Sequence, residues 1–428
     1  MAIVHNQNPG VRGTGRVLGL FSSSIVDQIV LSAANFFVGY MLIRQTSDVD
    51  YGLFVLVQSA ILLAVSAQNA WLSGPLSVLG PKRDPAARRQ MVGAIESSHL
   101  RLINRLLLAC IVIPIGAYAF HFCGGLVAAA SALGIVAGHA ALRREYVRSV
   151  LLMYTRPNSV LRADLSFSGV LVVGALLAAY GPPPGVLWGV GGLVVSAWVG
   201  SIAAHRSLAK DPGWVPGDAS AFWKEMRPLG TWAVIGSIIY WCYAQSYNYM
   251  LVSRFDLAAV ADVNSARLLL MPAFVVALGI KSLLIPSAAT WLSESGLRAL
   301  TKRLLLFGSG VMVLDLLYIA FVWLFRDWLS NDFLHKVIGD RDALLILWAA
   351  LAVIGMARDV LMCALTALER FKSMAWLTAF SAVASLVLMW FGMRIWGPRA
   401  VLIGQILGEL MNLAGIVFML QGQYRSAR

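Results

Sequence analysis

Long apolar stretches of about 20 residues, separated by short polar connectors, run through almost the whole 428-residue chain. This pattern constrains the fold most, because about 20 apolar residues is the length of helix that crosses the hydrocarbon core of a bilayer. Only 13% of the residues are charged and 59% are hydrophobic, whereas soluble domains average about 25% and about 45–50%. The sequence therefore predicts an all-α integral membrane protein.

The apolar stretches predict twelve transmembrane helices, at 17–43, 52–79, 97–119, 122–142, 158–180, 186–205, 229–253, 259–289, 303–325, 342–368, 374–394 and 399–421. The connectors are too short for a soluble catalytic or nucleotide-binding domain. No Walker A or Rossmann glycine motif is present, which argues against transport driven by ATP. The four cysteines are far apart and form no CxxC pair, so we expect no disulfide framework, no metal site and no cofactor.

Basic residues set the predicted orientation. The chain has 34 Lys and Arg residues, and the connectors on one side of the membrane hold roughly three times as many of them as the connectors on the other side. Such an excess marks the cytoplasmic side. Both termini are then cytoplasmic. Because the positive charge lies beside the spans, we expect contacts with anionic membrane lipids and not with nucleic acid. Arg101 and Arg105, one helical turn apart, are expected to reach lipid headgroups.

The second half of the chain reads as a diverged copy of the first. Three pairs of segments align at nearly constant offset: Tyr40-Met41-Leu42 with Tyr249-Met250-Leu251, Tyr51-Gly52 with Ala261-Asp262, and Pro75 with Pro286. Each half holds six spans, so the two copies share one orientation, as in transporters that enclose a cavity between two bundles. The predicted division is an N-terminal lobe at 1–206, a cytoplasmic linker at 207–227 and a C-terminal lobe at 228–428. Chance similarity among apolar helices is the alternative.

Four short segments, in the same order along the chain, resemble polysaccharide-biosynthesis flippases of the Wzx type: Asp50-Tyr51-Gly52-Leu53-Phe54, Ser73-Gly74-Pro75, Arg143-Arg144-Glu145-Tyr146-Val147-Arg148 and Arg162-Ala163-Asp164. These flippases belong to the multidrug/oligosaccharidyl-lipid/polysaccharide (MOP) exporter superfamily. The resemblance implies two six-helix lobes around a central cavity, in the bacterial inner membrane. It also implies flipping of an undecaprenyl-diphosphate-linked oligosaccharide for O-antigen, exopolysaccharide or capsule synthesis, beside a polymerase and a chain-length regulator. Lipid II flippases of the same superfamily usually have two further helices, which this chain lacks.

Charged residues inside predicted spans are candidates for function, because a charge at bilayer depth is costly and normally faces the protein interior or a wet cavity. Arg267 and Lys281 lie about 40° apart around one predicted helix, and Arg358 lies in another. Arginine binds phosphate oxygens in bidentate fashion, so we expect Arg267, then Arg358 and Lys281, to contact a diphosphate headgroup. The alternative is an internal ion pair, for example Arg267 with Asp315 or Glu409, or Arg358 with Asp359.

Acidic residues in the spans are candidates for coupling transport to an ion gradient. Asp27 in the first span, and Asp315 and Glu409 in the second half, are the predicted sites for H⁺ or Na⁺. A structural, hydrogen-bonded role for Asp27 is equally compatible with the sequence. Three aromatic residues of the seventh span, Tyr240, Trp241 and Tyr243, lie too deep for an interfacial belt and are expected to stack on sugar rings.

Three functions fit these features to different extents. The flippase accounts for the buried cations, whereas a cation-coupled multidrug exporter of the same superfamily would favour acidic cavity residues. A membrane-embedded polysaccharide polymerase or ligase would need a large outer loop carrying catalytic residues, and the predicted outer loops are short. We therefore expect a transporter and not an enzyme.

Overall fold

The computed structural model describes residues 12–208, 218–368 and 370–426, and every regular element within these ranges is helical. Thirteen α-helices follow one another: α1 (Arg12–Gln45), α2 (Asp48–Gln68), α3 (Gly74–Leu79), α4 (Pro85–Ala119), α5 (Gly125–Met153), α6 (Pro157–Tyr180), α7 (Gly185–Leu208), α8 (Ser220–Arg254), α9 (Leu257–Leu324), α10 (Arg326–Trp328), α11 (Arg341–Ala367), α12 (Phe371–Trp396) and α13 (Ala400–Ser426).

These helices make twelve passes along the described part of the molecule. α2 continues through a π-helical turn, Asn69–Ser73, into α3, and the three together make one pass. α9 makes two passes, because the chain turns back at Gly296, which has φ 73° and ψ 175°. This backbone region is open essentially to glycine alone.

Ten helical stretches of the described residues are long and apolar enough to cross a membrane. One of the ten, Lys372–Arg425, contains both α12 and α13. α8 is outside the ten, and its first turns carry Lys224, Glu225 and Arg227. The chain is therefore a multi-pass membrane protein. We call the end of the bundle where α4 and α8 begin the basic end, and the end where α1 and α8 finish the opposite end.

Several helices extend beyond the predicted spans at the basic end. The predicted fourth span stops at residue 142, whereas α5 continues to Met153. The predicted seventh span starts at residue 229, whereas α8 begins at Ser220. Hydropathy underestimates these helices because α5 continues through the charged segment 143–148 and the first turns of α8 carry Lys224, Glu225 and Arg227. Residues 209–217 of the predicted linker lie outside the described residues.

Side-chain caps fix where the connectors end and the helices begin. The Asp84 carboxylate accepts hydrogen bonds from the backbone N–H groups of Ala86 (3.0 Å) and Ala87 (2.9 Å), and Pro85 opens α4. Backbone hydrogen bonds, that of Ala87 first, lower the pKa of Asp84 below its ordinary value. Ser47 caps α2 and Asp256 caps α9 in the same way, as expected for N-cap residues.

The two halves of the chain place their aligned segments at matching positions. Tyr40 lies five residues before the end of α1, and Tyr249 lies five residues before the end of α8. Within the N-terminal half, α6 packs against α1 and α7, and α5 packs against α7. Within the C-terminal half, α11 packs against α9 and α13, and α12 packs against α13. The result is the predicted pair of six-helix lobes.

The apolar core shows where the two lobes meet. One cluster of buried side chains contains residues of both lobes, such as Val57 of α2 with Leu268 of α9. Towards the basic end the core divides in two. One cluster consists of residues of the N-terminal lobe and Met226 of α8. The other cluster consists of C-terminal residues such as Leu304 and Ile416. The lobes are therefore joined near the opposite end and have separate cores near the basic end.

Polar contacts close the opposite end between the lobes. Lys336 Nζ lies 2.7 Å from Asp48 Oδ1, and Arg44 Nη1 donates to the carbonyl oxygen of Phe333 at 3.0 Å. The rings of Tyr40 and Phe333 stack with their centroids 4.5 Å apart. All of these contacts join α1 or the start of α2 to the connector between α9 and α11.

Gly52 allows α2 and α9 to approach each other closely at this end. A β-carbon added at Gly52 would overlap the backbone carbonyl oxygen of Leu257. Small residues are favoured at such helix contacts in membranes because they let two backbones come together. This contact gives a physical reason for the glycine of the Tyr51-Gly52 segment.

We expect Gly52→Ala to shift the protein away from the state that is closed at the opposite end, because the new methyl group cannot fit against Leu257. The measurement is the distance distribution between spin labels at the exposed Val49 and Val337, by double electron–electron resonance in a cysteine-free background. Longer distances should gain population. Gly169→Ala is the matched control, because a β-carbon there meets no atom within 4 Å. An unchanged distribution for Gly52→Ala would contradict the prediction.

Candidate functional site

A network of charged side chains lies inside the N-terminal lobe and includes the predicted coupling residue Asp27. Arg148 of α5 is at its centre. Its Nη2 atom lies 2.8 Å from Asp27 Oδ2 of α1, and its Nε atom lies 2.8 Å from Asp164 Oδ2 of α6. Arg144 pairs with the other oxygen of Asp164, and Glu145 Oε1 lies 3.6 Å from Arg148 Nη1. Three helices are therefore linked by ion pairs.

The five charges of this network do not cancel. Two arginines face three carboxylates, so the cluster is one positive charge short when all are ionised. Asp27 is buried, and its Oδ1 atom has no hydrogen-bond partner among the described residues. A buried carboxylate oxygen without a partner is costly. A proton or a small cation at Asp27 would supply both the missing positive charge and the missing partner of Asp27 Oδ1.

The network continues to the π-helical turn between α2 and α3. Asn69 Nδ2 donates to Glu145 Oε1 at 3.4 Å, and Ser149 donates to Ser73 Oγ at 2.8 Å. π-helical turns are rare and occur frequently at functional sites. This turn lies where α2 approaches the basic end, so it connects the charges of the N-terminal lobe with the region where the lobes have separate cores.

Arg267 of α9 lies at the junction of the two lobes. Its guanidinium carbon is 5.5 Å from the centre of the Trp348 ring, a cation–π distance. Its Nη1 atom lies 3.4 Å from the Tyr247 hydroxyl, which is long for a hydrogen bond. Among the described residues no carboxylate lies within 4.0 Å of Arg267. The predicted alternative, a pair of Arg267 with Asp315 or Glu409, is therefore absent from this structure, and Glu409 pairs with Arg358 instead.

A chain of hydrogen bonds runs from Arg267 to the N-terminal lobe. Tyr247 donates to Asn264 Oδ1 at 2.9 Å, and Asn264 Nδ2 donates to Asn248 Oδ1 at 2.8 Å. Asn248 Nδ2 then donates to Ser59 Oγ of α2 at 3.2 Å. Asn248 and Asn264 are buried. A change in the charge near Arg267 is therefore connected, through polar side chains, with the contact between the lobes.

Arg358 forms an ion-paired cluster within the C-terminal lobe. It lies 2.8 Å from Asp359 Oδ1 and 2.8 Å from Glu409 Oε1 of α13. The predicted alternative for Arg358, a pair with Asp359, is present here. Two predicted site residues, Arg358 and Glu409, thus neutralise each other in this conformation. Their roles in substrate binding and ion coupling stay predictions.

The three aromatic residues predicted to stack on sugars occupy different environments. Tyr243 is buried, 4% exposed, and donates to the carbonyl oxygen of Gln405 at 3.0 Å. Trp241 donates through Nε1 to the carbonyl oxygen of Ser59 at 2.9 Å and so joins the lobes. Tyr240 is 57% exposed and is the one of the three that offers its ring to a ligand in this conformation.

Two further predicted residues lie in α9. Asp315 is buried in the second pass of this helix, beyond the break at Gly296. The side chain of Lys281 lies outside what the structure describes. The predicted sites therefore fall into separate groups: Asp27 in the N-terminal lobe, Arg267 at the junction, and Arg358 with Glu409 in the C-terminal lobe.

The predicted spans place Arg148 in the connector between residues 142 and 158 and give it no role in the site. That assignment is wrong, because α5 extends to Met153 and brings Arg144 and Arg148 into the lobe. A signal was present: Arg144 and Arg148 are four residues apart and so share one helix face. Asp164, seven residues into α6, supplies the partner charge.

We expect Arg148→Met to destabilise the protein strongly, because it leaves two buried carboxylates without their shared cation. Breaking a buried ion pair by removing one partner costs about 3–5 kcal/mol. Thermal unfolding of the purified protein, followed by tryptophan fluorescence, should show a much lower midpoint than that of Arg162→Met. Arg162 is exposed on α6 and is the matched control. Adding Asp27→Asn to Arg148→Met should recover part of the loss, and equal midpoints for the two single variants would contradict the prediction.

Comparison with known proteins identifies the fold. No protein-family model and no curated protein matches the chain, but solved structures do. The inward-facing structure of a multidrug resistance MATE family transporter of the MOP superfamily has a TM-score of 0.76 at 14% identity, over 93% of this chain and 96% of that one. The outward-facing structure of a MATE transporter gives 0.65 at 18% identity, over 95% and 94%. Lipid II flippase MurJ, in an inward closed conformation, gives 0.71 at 9% identity, over 94% and 87%.

These identities are low, so the likeness concerns the fold. It extends over nearly the whole chain, and it agrees with the helix order and the packing of the two halves. The predicted all-α architecture of two six-helix lobes is confirmed. The chain has the fold of the MATE and MurJ structures of the MOP superfamily.

Proposed function

We propose that this protein is a flippase for an undecaprenyl-diphosphate-linked oligosaccharide in polysaccharide biosynthesis. It acts in the bacterial inner membrane, with both termini in the cytoplasm, and moves its substrate by alternating access between the two lobes. The Wzx-type resemblance, the excess of basic residues at one end and the two-lobe fold support this proposal. Among solved structures of the same fold, one is a flippase of lipid II.

Arg267 is the observation that carries the proposal. A guanidinium at the junction of two lobes, with no carboxylate within 4.0 Å among the described residues, is poorly compensated in a membrane protein. A diphosphate would supply the missing negative charge, and arginine is suited to bind it through two parallel hydrogen bonds. An organic cation, the usual type of substrate for an acidic cavity, would be repelled at this position.

The conformation of the lobes fits a protein that is ready to receive substrate from the cytoplasmic side. The lobes are joined near the opposite end and have separate cores near the basic end. With the basic end in the cytoplasm, this arrangement is inward-facing. The TM-score of 0.76 with an inward-facing MATE structure, against 0.65 with an outward-facing one, supports the same assignment.

Asp27 is the proposed site of the coupling ion, H⁺ or Na⁺. Its unpartnered oxygen and the missing positive charge of its network favour binding of a cation. Arg148 contacts both Asp27 and Asp164, so neutralising Asp27 would strengthen the hold of Arg148 on Asp164. Such a shift would change the packing of α1 against α5 and α6, the helices that carry these residues.

A cation-coupled multidrug exporter is the second candidate. The acidic balance of the Asp27 network and the fold shared with MATE transporters favour it. Arg267 argues against it, because an exporter of cationic drugs gains nothing from an unpaired cation at the lobe junction.

Anionic lipids, a polymerase and a chain-length regulator remain the proposed partners of the flippase.

The test is complementation of a strain that lacks the native gene. The empty strain should accumulate lipid-linked oligosaccharide on the cytoplasmic side, and the wild-type protein should relieve this accumulation. Arg267→Ala, present in the membrane at the normal level, should fail to relieve it. Arg298→Ala should behave as wild type, because Arg298 is an exposed cation of the same helix. Arg267→Lys should recover activity only partly, since lysine keeps the charge but loses the bidentate geometry.

Two results would overturn the proposal. An empty strain that accumulates no lipid-linked oligosaccharide but becomes sensitive to cationic drugs would favour the multidrug exporter. An Arg267→Ala protein that relieves accumulation as well as wild type would show that Arg267 does not bind the headgroup.

A further inference from the structure

A groove at the basic end has a lining that the transport cycle described above does not use. It has a volume of about 680 Å³ and lies between α4 and the first turns of α8. Four cations face it: Arg101 and Arg105 from α4, and Lys224 and Arg227 from α8. The pairs are spaced four and three residues apart, so each helix presents both of its cations on one face. Two helices therefore bring four positive charges to one groove.

Within the described part of the chain, the cations of the groove form no ion pairs. All four residues are exposed, and among the described residues none has a carboxylate within 4.0 Å. Glu225, their neighbour in α8, is paired with Arg83 instead. Asp218 lies near Arg101 outside the helices, where its hydrogen bonds with Ser220, and then Arg101, lower its pKa. Among the described residues, Asp218 is one carboxylate near four cations, so their charges leave the groove positive.

Aromatic packing fixes the wall of the groove. The rings of Trp71 and Trp223 stack with their centroids 6.3 Å apart, and Trp223 Nε1 donates to Ser98 Oγ of α4 at 2.9 Å. A β-carbon added at Gly230 would lie 2.8 Å from the carbonyl oxygen of Trp71. The start of α8 is therefore held closely against α2 and α4, and the four cations are presented by a packed frame and not by a loop.

The depth of the groove corresponds to the level of lipid headgroups. From Arg101 to Ala119, the end of α4, the helix rises about 27 Å, close to the roughly 30 Å of a hydrocarbon core. Above the cations both helices expose apolar side chains: Leu102, Leu106 and Ile113 on α4, and Ile235 and Ile238 on α8. A molecule with an anionic head and apolar chains can therefore meet the cations and this surface together.

We propose that this groove binds the phosphate headgroup of a membrane lipid, and that a diphosphate lipid is the class it fits best. A phospholipid with one phosphodiester carries a single negative charge, whereas a diphosphate carries more and matches four cations better. Naming the lipid-linked carrier as this ligand rests on the proposed function. The phosphate site itself rests on the groove alone. It would hold the carrier at the membrane surface before its headgroup moves to Arg267.

The experiment is binding of farnesyl diphosphate to the purified full-length protein, measured by calorimetry. The groove variant carries Arg101→Gln, Arg105→Gln, Lys224→Gln and Arg227→Gln together. We expect its dissociation constant to rise by about tenfold or more, since charge-assisted contacts are lost. Arg101→Lys with Arg105→Lys should stay close to wild type. Lys302→Gln, which removes an exposed cation elsewhere at the basic end, is the matched control.

The removed cations repel one another, so the groove variant should fold, and its elution on size exclusion checks this. If it does not elute as wild type does, the pair Arg105→Gln with Lys224→Gln, one from each helix, takes its place. Farnesol, which lacks the phosphates, should bind weakly to every variant. The groove site would be overturned if the groove variant and Lys302→Gln bound farnesyl diphosphate equally well. It would also be overturned if Arg267→Ala lost binding while the groove variant kept it.

A competition experiment distinguishes a diphosphate lipid from a bulk phospholipid as the ligand of the groove. Short-chain phosphatidylglycerol should compete with farnesyl diphosphate only at much higher concentration. Equal competition would overturn the assignment to a diphosphate lipid and make the groove a site for bulk phospholipid. None of these measurements depends on transport. A strain that accumulates no lipid-linked oligosaccharide would therefore refute the proposed function without deciding the groove.

Discussion

Charge pairing in a medium without water organises this protein. Arg148 and Arg358 are largely buried, and they are held by three and two carboxylates respectively, as a low-dielectric interior requires. The pairs of Arg148 with Asp27 and Asp164, and of Arg358 with Glu409, join different helices within one lobe, so the lobes are stiffened from inside. Arg267 departs from this rule among the described residues, and it does so where the lobes meet. Arg267 packs on the Trp348 face and near the Tyr247 hydroxyl, and Arg143, also without an ion pair among the described residues, packs on the Trp198 face.

The same constraint explains why the contacts between the lobes are of two kinds. Close to the opposite end they are tight and partly apolar, with Gly52 allowing two backbones to touch. Deeper in the molecule they are polar, with Ser59, Asn248 and Asn264 forming hydrogen bonds in a chain. Polar contacts of this type can be exchanged for water when the lobes separate, whereas a buried apolar surface would resist separation.

The fold followed from hydropathy and repetition, but the site followed only in part. Twelve spans, two lobes and the equivalence of Tyr40 and Tyr249 depend on patterns that extend over many residues and survive divergence. Arg148 was misplaced because it lies in the charged segment 143–148, and hydropathy cannot distinguish a cation in a connector from one that is paired inside a bundle. The partners of Arg358 include Glu409, 51 residues away. The sequence pattern does not show that these two residues meet, because their contact depends on how α11 and α13 pack.

α8 belongs to both lobes. Its first turns, with Met226, share the core of the N-terminal lobe, while Tyr243 and Tyr247 pack in the C-terminal half. Relative motion of the lobes, as the proposed function requires, would therefore have to be accommodated within this helix. Pro228, just beyond Met226, removes a backbone hydrogen bond and makes the first part of α8 the place where bending costs least. A bend at Pro228 would leave Lys224 and Arg227 packed with α4, so the groove would keep its lining while the rest of α8 moves with the C-terminal lobe.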